Sequence, residues 1–475
     1  MTSTDPVPLP DYAGEAPGHG VERVDVVVVG AGLAGLTAAR ALTARGLAVV
    51  VAEASDRVGG RTKAREVEGS LVDLGGTFVG PTQDRIIALA DELGLDRFAT
   101  FDAGSNVISW RGAIKHYRGT IPPIGPIGLA DIGRIQFEID RLGRGIDTAH
   151  PERSPHAAKW DSHSLTSWLR SIHALPSSHT LMSIVSGTTW GCEPGEISFL
   201  QVLRYIAMAG GISRMLDTAG GAQEEHFRQG SWQVSARMAA ELGDRVRLAT
   251  PVTAVDWTDD GAVVTAGPAR FRAARVVLAV PPALRARIAF SPALPTPYSA
   301  LTQRWPQGIL SKAYAVYEQP FWRDAGLSGQ ALADTGPVTI TFDASPHDGS
   351  RGILLGFIGG DHARHWDALP PAERRIQALS SFAEVFGEKA LTPLGFTDQL
   401  WAAEAWTGGG PTAAPAVGTV VSTAPYLREP VGPLHWAGTE TAEAWTGFMD
   451  GAVRSGERAA REILRALRPF AEVAP

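Results

Sequence analysis

The chain has 475 residues, 44% of them apolar and 20% charged, with a formal net charge of −7. That balance excludes a disordered chain and leaves room for two large or three smaller domains, each with its own core. The acidic surplus argues against nucleic acid or an anionic membrane as a partner, since either asks for a basic patch. Cys192 is the only cysteine, which excludes an intramolecular disulfide and a thiolate metal cluster and fits a reducing compartment. The first residues have no basic or apolar leader pattern, and no stretch approaches the ~20 apolar residues of a membrane span. A soluble, cytoplasmic protein with no metal is expected.

Residues 1–21 are aperiodic and rich in Pro, Gly and Asp, and read as a mobile tail. The run Val24–Val29 is almost continuously apolar, as in a parallel strand buried on both faces. A glycine turn follows, then a helical pattern from Leu33 to Arg45 closed by Gly46, then a second strand from Ala48 to Ala52 ending at Glu53. Residues 99–227 read as helix-rich, with a Pro/Gly loop at 121–128. Arg275–Val280 reads as a return to the first sheet, stopped by Pro281 and Pro282. Residues 301–401 read as alternating strands, with Ala313, Ala315 and Tyr317 on one face and Lys312, Tyr314 and Val316 on the other. Leu434–Gly438 reads as a short strand, followed by a helix from Gly447 to Leu467, and 468–475 as a tail. The fold class is therefore α/β: one sheet domain in three pieces, 22–98, 228–300 and 402–467, and a discontinuous α+β domain from 99–227 and 301–401.

Gly30-Ala31-Gly32-Leu33-Ala34-Gly35 is G-x-G-x-x-G between a strand and a helix. Its glycines permit a tight turn, close approach of a pyrophosphate, and close packing of helix on strand. The phosphates then meet the helix N-terminus. Glu53 ends the second strand roughly 20 residues on, where a carboxylate accepts from ribose hydroxyls. Together these four features specify a dinucleotide site, and the absence of Gly-Lys-Ser/Thr excludes a P-loop. Asp56-Arg57-Val58-Gly59-Gly60-Arg61-Thr62 places bare backbone and guanidinium groups where a second anionic group would sit. Gly75-Gly76-Thr77 adds a further pair for close approach, and Gly438-Thr439-Glu440 lies between strand and helix.

These segments resemble the flavin-dependent monoamine oxidase family, within the broader amine oxidases whose FAD-binding domain is Rossmann-like and glutathione-reductase-like. The resemblance runs from about Val24 to Leu464. It is carried by DVVVVGAGLAGL at 25–36, EASDRVGGRT at 53–62, DLGGTFVGPTQDR at 73–85, GGAQEEHFRQGSWQVS at 220–235, SKAYAVYEQPFW at 311–322 and WAGTETAEAWTGFMDGAVRSGERAAREIL at 436–464. It implies that Gly30, Gly32 and Gly35 hold the pyrophosphate, Glu53 the adenosine ribose and Arg61 the phosphate side. Gly75, Gly76, Thr77, Trp401, Gly438, Glu440 and Met449 would then lie along FAD, and Val252 against adenine. For Val252 and Met449 taken alone, core packing is the simpler reading.

By the same resemblance Lys312 positions a water beside the flavin, whereas its strand pattern alone suits a solvated face. Gly410 stands where the mitochondrial members carry the cysteine that binds FAD covalently, so non-covalent FAD is implied. Of the two aromatic walls that flank the amine, Phe448 is present, while Pro411 replaces the other. Trp406 either compensates or is a packed core tryptophan. Leu216, Gln223, Thr188, Thr189, Ile340 and Phe357 are the implied substrate-pocket residues. The implied activity is oxidation of an amine C–N bond to an imine, hydrolysed to a carbonyl compound, with O2 reduced to hydrogen peroxide. Three alternatives share the framework. An L-amino acid oxidase would need an arginine clamp, for which Arg214 is ambiguous. A polyamine oxidase would use acids such as Asp217, Glu224 and Glu225, which also read as solvated charges. A non-catalytic FAD-binding protein would explain Pro411. The resemblance is compatible with a homodimer, although no sequence feature specifies one.

Overall fold

Residues 20–467 are described by the computed structural model, which contains two large sheets with helices on their faces. Of the expected tails, residues 1–19 and 468–475 lie outside the described residues. Val21, counted with the first tail, instead opens strand β1 (Val21–Val29). Its first residues pair with Arg270–Arg272 through the backbone while their side chains face water, so the apolar pattern begins only later.

Helix α1 (Leu33–Thr43) and strand β2 (Val49–Ala52) complete the first unit. β1 lies parallel between β2 and the long strand Ala269–Leu278, with Val26 opposite both Val49 and Arg275. Both faces of β1 are buried, which accounts for its unbroken apolar run. Val26 and Val28 pack with α1 and the C-terminal helix Met449–Ala466, while Val27 and Val29 pack with Val276, Leu278 and Trp436. The strand expected at Arg275–Val280 is longer at its start, because Ala269–Ala273 also pair with Gly261–Ala266 in an antiparallel ladder. The short strand Leu434–Trp436 joins the same sheet beside Val276–Leu278.

The second sheet has seven strands in the order Gly395–Leu400, Leu310–Tyr317, Gly352–Gly359, Ile340–Asp343, Leu327–Ala333, Ser105–Trp110 and Ala113–Tyr117. The last two form a hairpin inside the stretch read as helix-rich. The outer strand's first four residues are exposed and carry no alternation to betray it. Helices Asp361–Asp367 and Pro371–Phe386 similarly interrupt the stretch read as strands. Leu310–Tyr317 is buried along its whole length. Ala313, Ala315 and Tyr317 pack with Trp322 and Phe382, while Tyr314 and Val316 pack with Leu74 and Phe357. The expected face assignment holds, but Lys312 is only 4% exposed and lies on no solvated face.

The β1–α1 turn is set by close backbone approach. Gly30 adopts φ +100°, and a Cβ at Gly35 would stand 1.9 Å from the Gly30 carbonyl oxygen. Neither atom can yield without moving strand or helix. Gly35→Ala is expected to destabilise the protein by about 3 kcal/mol, the upper part of the overpacking range, and to lower flavin content. Thermal denaturation and the flavin-to-protein absorbance ratio check both.

Candidate active site

A cavity of about 360 Å³ reaches from the ends of β1 and β2 to Lys312 in the second sheet. At its first end it is lined by Gly30, Gly32, Leu33 and Ala34. No side chain caps α1, so its first N–H groups remain available to an anion. Glu53 is 7% exposed; its Oε2 accepts from Ala31 N–H at 2.5 Å and its Oε1 from Ser55 N–H at 2.9 Å. Burial pushes its pKa up, against the opposing pull of those hydrogen bonds and of Arg57. Arg57 donates to the carbonyls of Gly60 at 3.0 Å and Thr62 at 3.1 Å, which fixes the glycine loop. Val252 and Met449 line the cavity and also belong to core clusters, so both of their readings describe them.

Arg61 donates to both oxygens of Glu440, at 2.5 and 3.1 Å, and to the Pro411 carbonyl at 2.7 Å. Burial would raise the Glu440 pKa, but Arg61 holds it below the usual range. Glu440 does not line the cavity. It stands behind Arg61 as an anchor instead of lying along a ring, and Gly35 likewise acts through packing rather than as lining. Gly75, Gly76, Thr77, Trp401 and Gly438 all line the cavity. A Cβ at Gly75 would meet the Arg61 carbonyl oxygen at 2.1 Å and the Trp401 ring at 3.0 Å, so only bare backbone fits between them.

Lys312 lies at the other end. Its Nζ donates to Gly75 O at 2.5 Å, to Thr77 Oγ1 at 2.7 Å and to Asp73 O at 3.3 Å, and it sits 5.0 Å from the Phe357 ring centroid. Burial pushes its pKa well down, while Asp73 opposes that shift. Phe448 packs edge-on against Trp445 at 4.9 Å and lies 5.8 Å from Tyr205. Trp445 adopts φ 54°, unusual for a bulky residue, and is tied by Nε1–H to Thr82 O at 3.0 Å. Pro411 lines the cavity beside Gly410, which offers no side chain for a covalent bond. Cys192 is buried in the helical cluster outside the cavity. Trp406 lines the cavity at its open side, 43% exposed and with Arg287 at 5.8 Å from its ring, so it is not a packed core residue.

Leu216, Gln223, Thr188, Thr189, Ile340 and Phe357 line the same cavity. So do Phe78, Tyr205 and Phe342, which sequence reasoning missed. Phe342 stands two residues from Ile340 on one strand face, and Phe78 directly follows Thr77, so both carried a readable signal. Tyr205 sits in an apolar helix and carried none. An adjoining cavity of about 590 Å³ shares Val185, Leu216, Ile340 and Phe342 with the first and includes Asp217. Arg214, Glu224 and Glu225 line neither cavity, and Glu225 is paired with Arg97.

A family model described as flavin containing amine oxidoreductase matches residues 33–464. The chain belongs to that family. Over 440 residues it is 50% identical to AofH of Mycobacterium tuberculosis, which bears the name of a flavin-containing monoamine oxidase; the match covers 93% of this chain and 96% of the relative. It is 38% identical to the flavin-containing amine oxidase B of Sus scrofa, over 95% of this chain and 88% of the relative. Putrescine oxidase bound to putrescine superposes with a TM-score of 0.90 at 35% identity, covering 94% of this chain and 100% of that structure. The protein is thus an FAD-dependent amine oxidoreductase with the family's α/β fold. The uncapped α1 N-terminus, the buried Glu53 and the glycine backbone at 75–76 fit a dinucleotide with a flat ring at its far end. Among the described residues no helix is long and apolar enough to cross a membrane.

His226 lies between Phe98, nearly parallel at 5.2 Å, and Phe78, edge-on at 4.7 Å. Burial lowers its pKa from 6.5 to about 4. Between those values the unfolded chain binds a proton that the folded chain refuses. This contribution to stability is therefore intact above pH 6.5 and is lost as pH falls toward 4. Its expected slope is about 1.4 kcal/mol per pH unit. His226→Gln should flatten that part of the stability curve, as urea titrations at stepped pH would show.

Proposed function

We propose that the chain oxidises a monoamine whose carbon chain is apolar, in the chamber bounded by Lys312, Phe357, Phe448 and Tyr205. The observation that carries this reading is Lys312 buried against the Gly75 carbonyl and paired in register with Phe357, in a cavity that Phe448 and Tyr205 also line. Bound FAD supplies the two-electron acceptor. The chain's residues bind, orient and desolvate the amine. Phe78, Phe342 and Phe357 form one aromatic row, with centroid separations of 5.2 and 5.9 Å, that favours an uncharged amine over its ammonium ion and keeps bulk water out. Phe448, steadied by Trp445, orients the nitrogen. Lys312 holds a proton position at Nζ beside the reacting carbon, and water there completes hydrolysis of the imine to a carbonyl compound plus ammonia or an amine. With O2 as the final electron acceptor, the second product would be hydrogen peroxide.

We assign cofactor binding to 22–98, 228–300 and 402–467, which supply the strands of the first large sheet. The substrate chamber then falls to 99–227 and 301–401, which supply the strands of the second. A cytoplasmic setting suits a chain whose lone cysteine is buried and free.

A second reading, a diamine substrate, is favoured by Asp217 in the adjoining cavity, where a distal ammonium could reach it, and by the likeness to putrescine oxidase. An amino acid substrate lacks such support. Arg57 and Arg61 are committed to protein acceptors, and Arg214 lies outside both cavities.

Anaerobic mixing with amines is expected to bleach the flavin band, faster for apolar monoamines than for diamines of equal length. The reverse order would select the diamine reading. Bleaching by no amine would sink both. Lys312→Met should retain flavin and slow bleaching by about 10²-fold or more. Pro411→Tyr should lower KM for small amines by closing the open side of the chamber, a change read from steady-state oxygen consumption.

A further inference from the structure

As an ammonium, Lys312 has three N–H groups, and three protein acceptors surround it: Gly75 O, Thr77 Oγ1 and Asp73 O. Tyr314 Oη is a fourth neighbour at 3.4 Å and itself donates to Asp73 O. A neutral amine has two N–H groups and a lone pair, so it suits the same surroundings only if a hydroxyl turns toward it. The charge on Lys312 therefore sets the direction of hydrogen bonds through the Asp73–Thr77 turn, which carries Gly75 and Gly76.

Lys312 contacts Asp73 through the main-chain oxygen, and the Asp73 carboxylate, in a residue only 9% exposed, is the nearby negative charge without forming an ion pair within 4.0 Å. Ser231 N–H donates to its two oxygens at 3.0 and 3.2 Å, and Ser231 Oγ lies 3.1 Å from Oδ1. The Ser231 hydroxyl also lies against Gly76 O, and its one hydrogen is donated either there or to the carboxylate. Ser231 is the N-cap of helix Trp232–Leu242, whose dipole favours a negative charge there. The other titratable groups facing Lys312 are Tyr314 and His226. Burial raises the Tyr314 pKa and lowers that of His226, so both stay neutral near pH 7. Asp343 stands beyond His226 and is tied to Arg323 at 2.7 Å.

We propose that Asp73, seated on Ser231, is the positioning residue that sets the charge of Lys312 and thereby the hydrogen-bond orientation of the turn at Gly75 and Gly76. Burial pushes Asp73 toward its neutral acid and Lys312 toward its neutral amine, and each group's charge partly opposes that shift in the other. Removing the carboxylate leaves only the effect of burial on Lys312. The inference rests on the reading that Lys312 stands beside the flavin.

The test uses the purified holoenzyme without substrate, following bound-flavin absorbance and fluorescence against pH. Wild type should show an inflection that Lys312→Met abolishes. Asp73→Asn should move that inflection to lower pH by about one unit or more, a tenfold loss of proton affinity. Asp73→Glu should restore it toward wild type. Ser231→Ala keeps the charge but holds it less firmly, so it should shift the inflection the same way by less. It also serves as the reporter if Asp73→Asn does not fold. An inflection that stays in place in the folded variants overturns the proposal. So does a wild type with no Lys312-dependent inflection, and so does a lowered Tm with no spectral shift, which would mark Asp73 as an anchor only. Bleaching by amine in the same wild-type sample reports separately on amine oxidation. Its failure would count against the proposed function while the pH readout still stands.

Discussion

One buried lysine ties the two halves of the molecule together at one end of the cavity. Lys312 comes from the second sheet, and its acceptors belong to the Asp73–Thr77 turn, which follows the dinucleotide-binding unit in the chain. A lone ammonium at that depth would carry a large desolvation penalty. Three oxygens and a nearby carboxylate offset it. The same contacts lock the second sheet to the 73–77 turn, whose bare backbone lines the cavity. Depth and charge are thus joint requirements: a more exposed lysine would need no such turn, and a turn with larger residues would not reach it.

The other end is organised by a second polar tie. Arg61 joins Glu440, beside the C-terminal helix, to the carbonyl of Pro411 in the cofactor-facing loop. Glu440 is 2% exposed, so the pair is nearly buried and is costly to break from either side. Segments far apart in sequence are therefore held in one register around the cavity by a few charge-assisted hydrogen bonds. Trp401 adds a neutral counterpart through Nε1–H to Leu74 O at 2.8 Å. Together these ties position the glycine pair at 75–76 from both sides.

The legible part of the sequence was the part in which local chemistry determines geometry. β1, the glycine turn, α1, β2 and the terminal acid declare themselves because each needs particular residues at fixed offsets. Burial on both faces of β1 was visible as an unbroken valine run. The hairpin at 105–117 was not visible, because its outer strand is largely exposed and pairs through backbone alone. Lys312 shows the same limit in reverse. Alternation placed it on the correct face, but periodicity carries no information on what covers that face, and here Leu74, Phe357 and the 73–77 turn cover it. Glu440 was found as a conspicuous acid in the correct place, yet its partner is a guanidinium contributed by a distant segment. Tyr205 was hidden because an aromatic in an apolar helix looks the same whether it faces a core or a cavity.

Pro411, which the resemblance sets in place of an aromatic wall, still lines the cavity. Arg61 fixes the Pro411 backbone from the phosphate side, so the loop keeps its place whatever side chain stands there. The aromatic surface lost at that wall is partly supplied from behind Phe448. Tyr205 and Trp445 crowd its ring, and a Cβ at Gly447 would come within 2.3 Å of the Tyr205 hydroxyl oxygen. Phe448 is therefore a rigid part of the cavity that Pro411 also lines. A site with two flat walls selects a flat or slender amine between them. A proline in that place leaves more width on one side of a cavity that Thr188 and Gln223 also line. That breadth favours a bulkier apolar amine over a flat one.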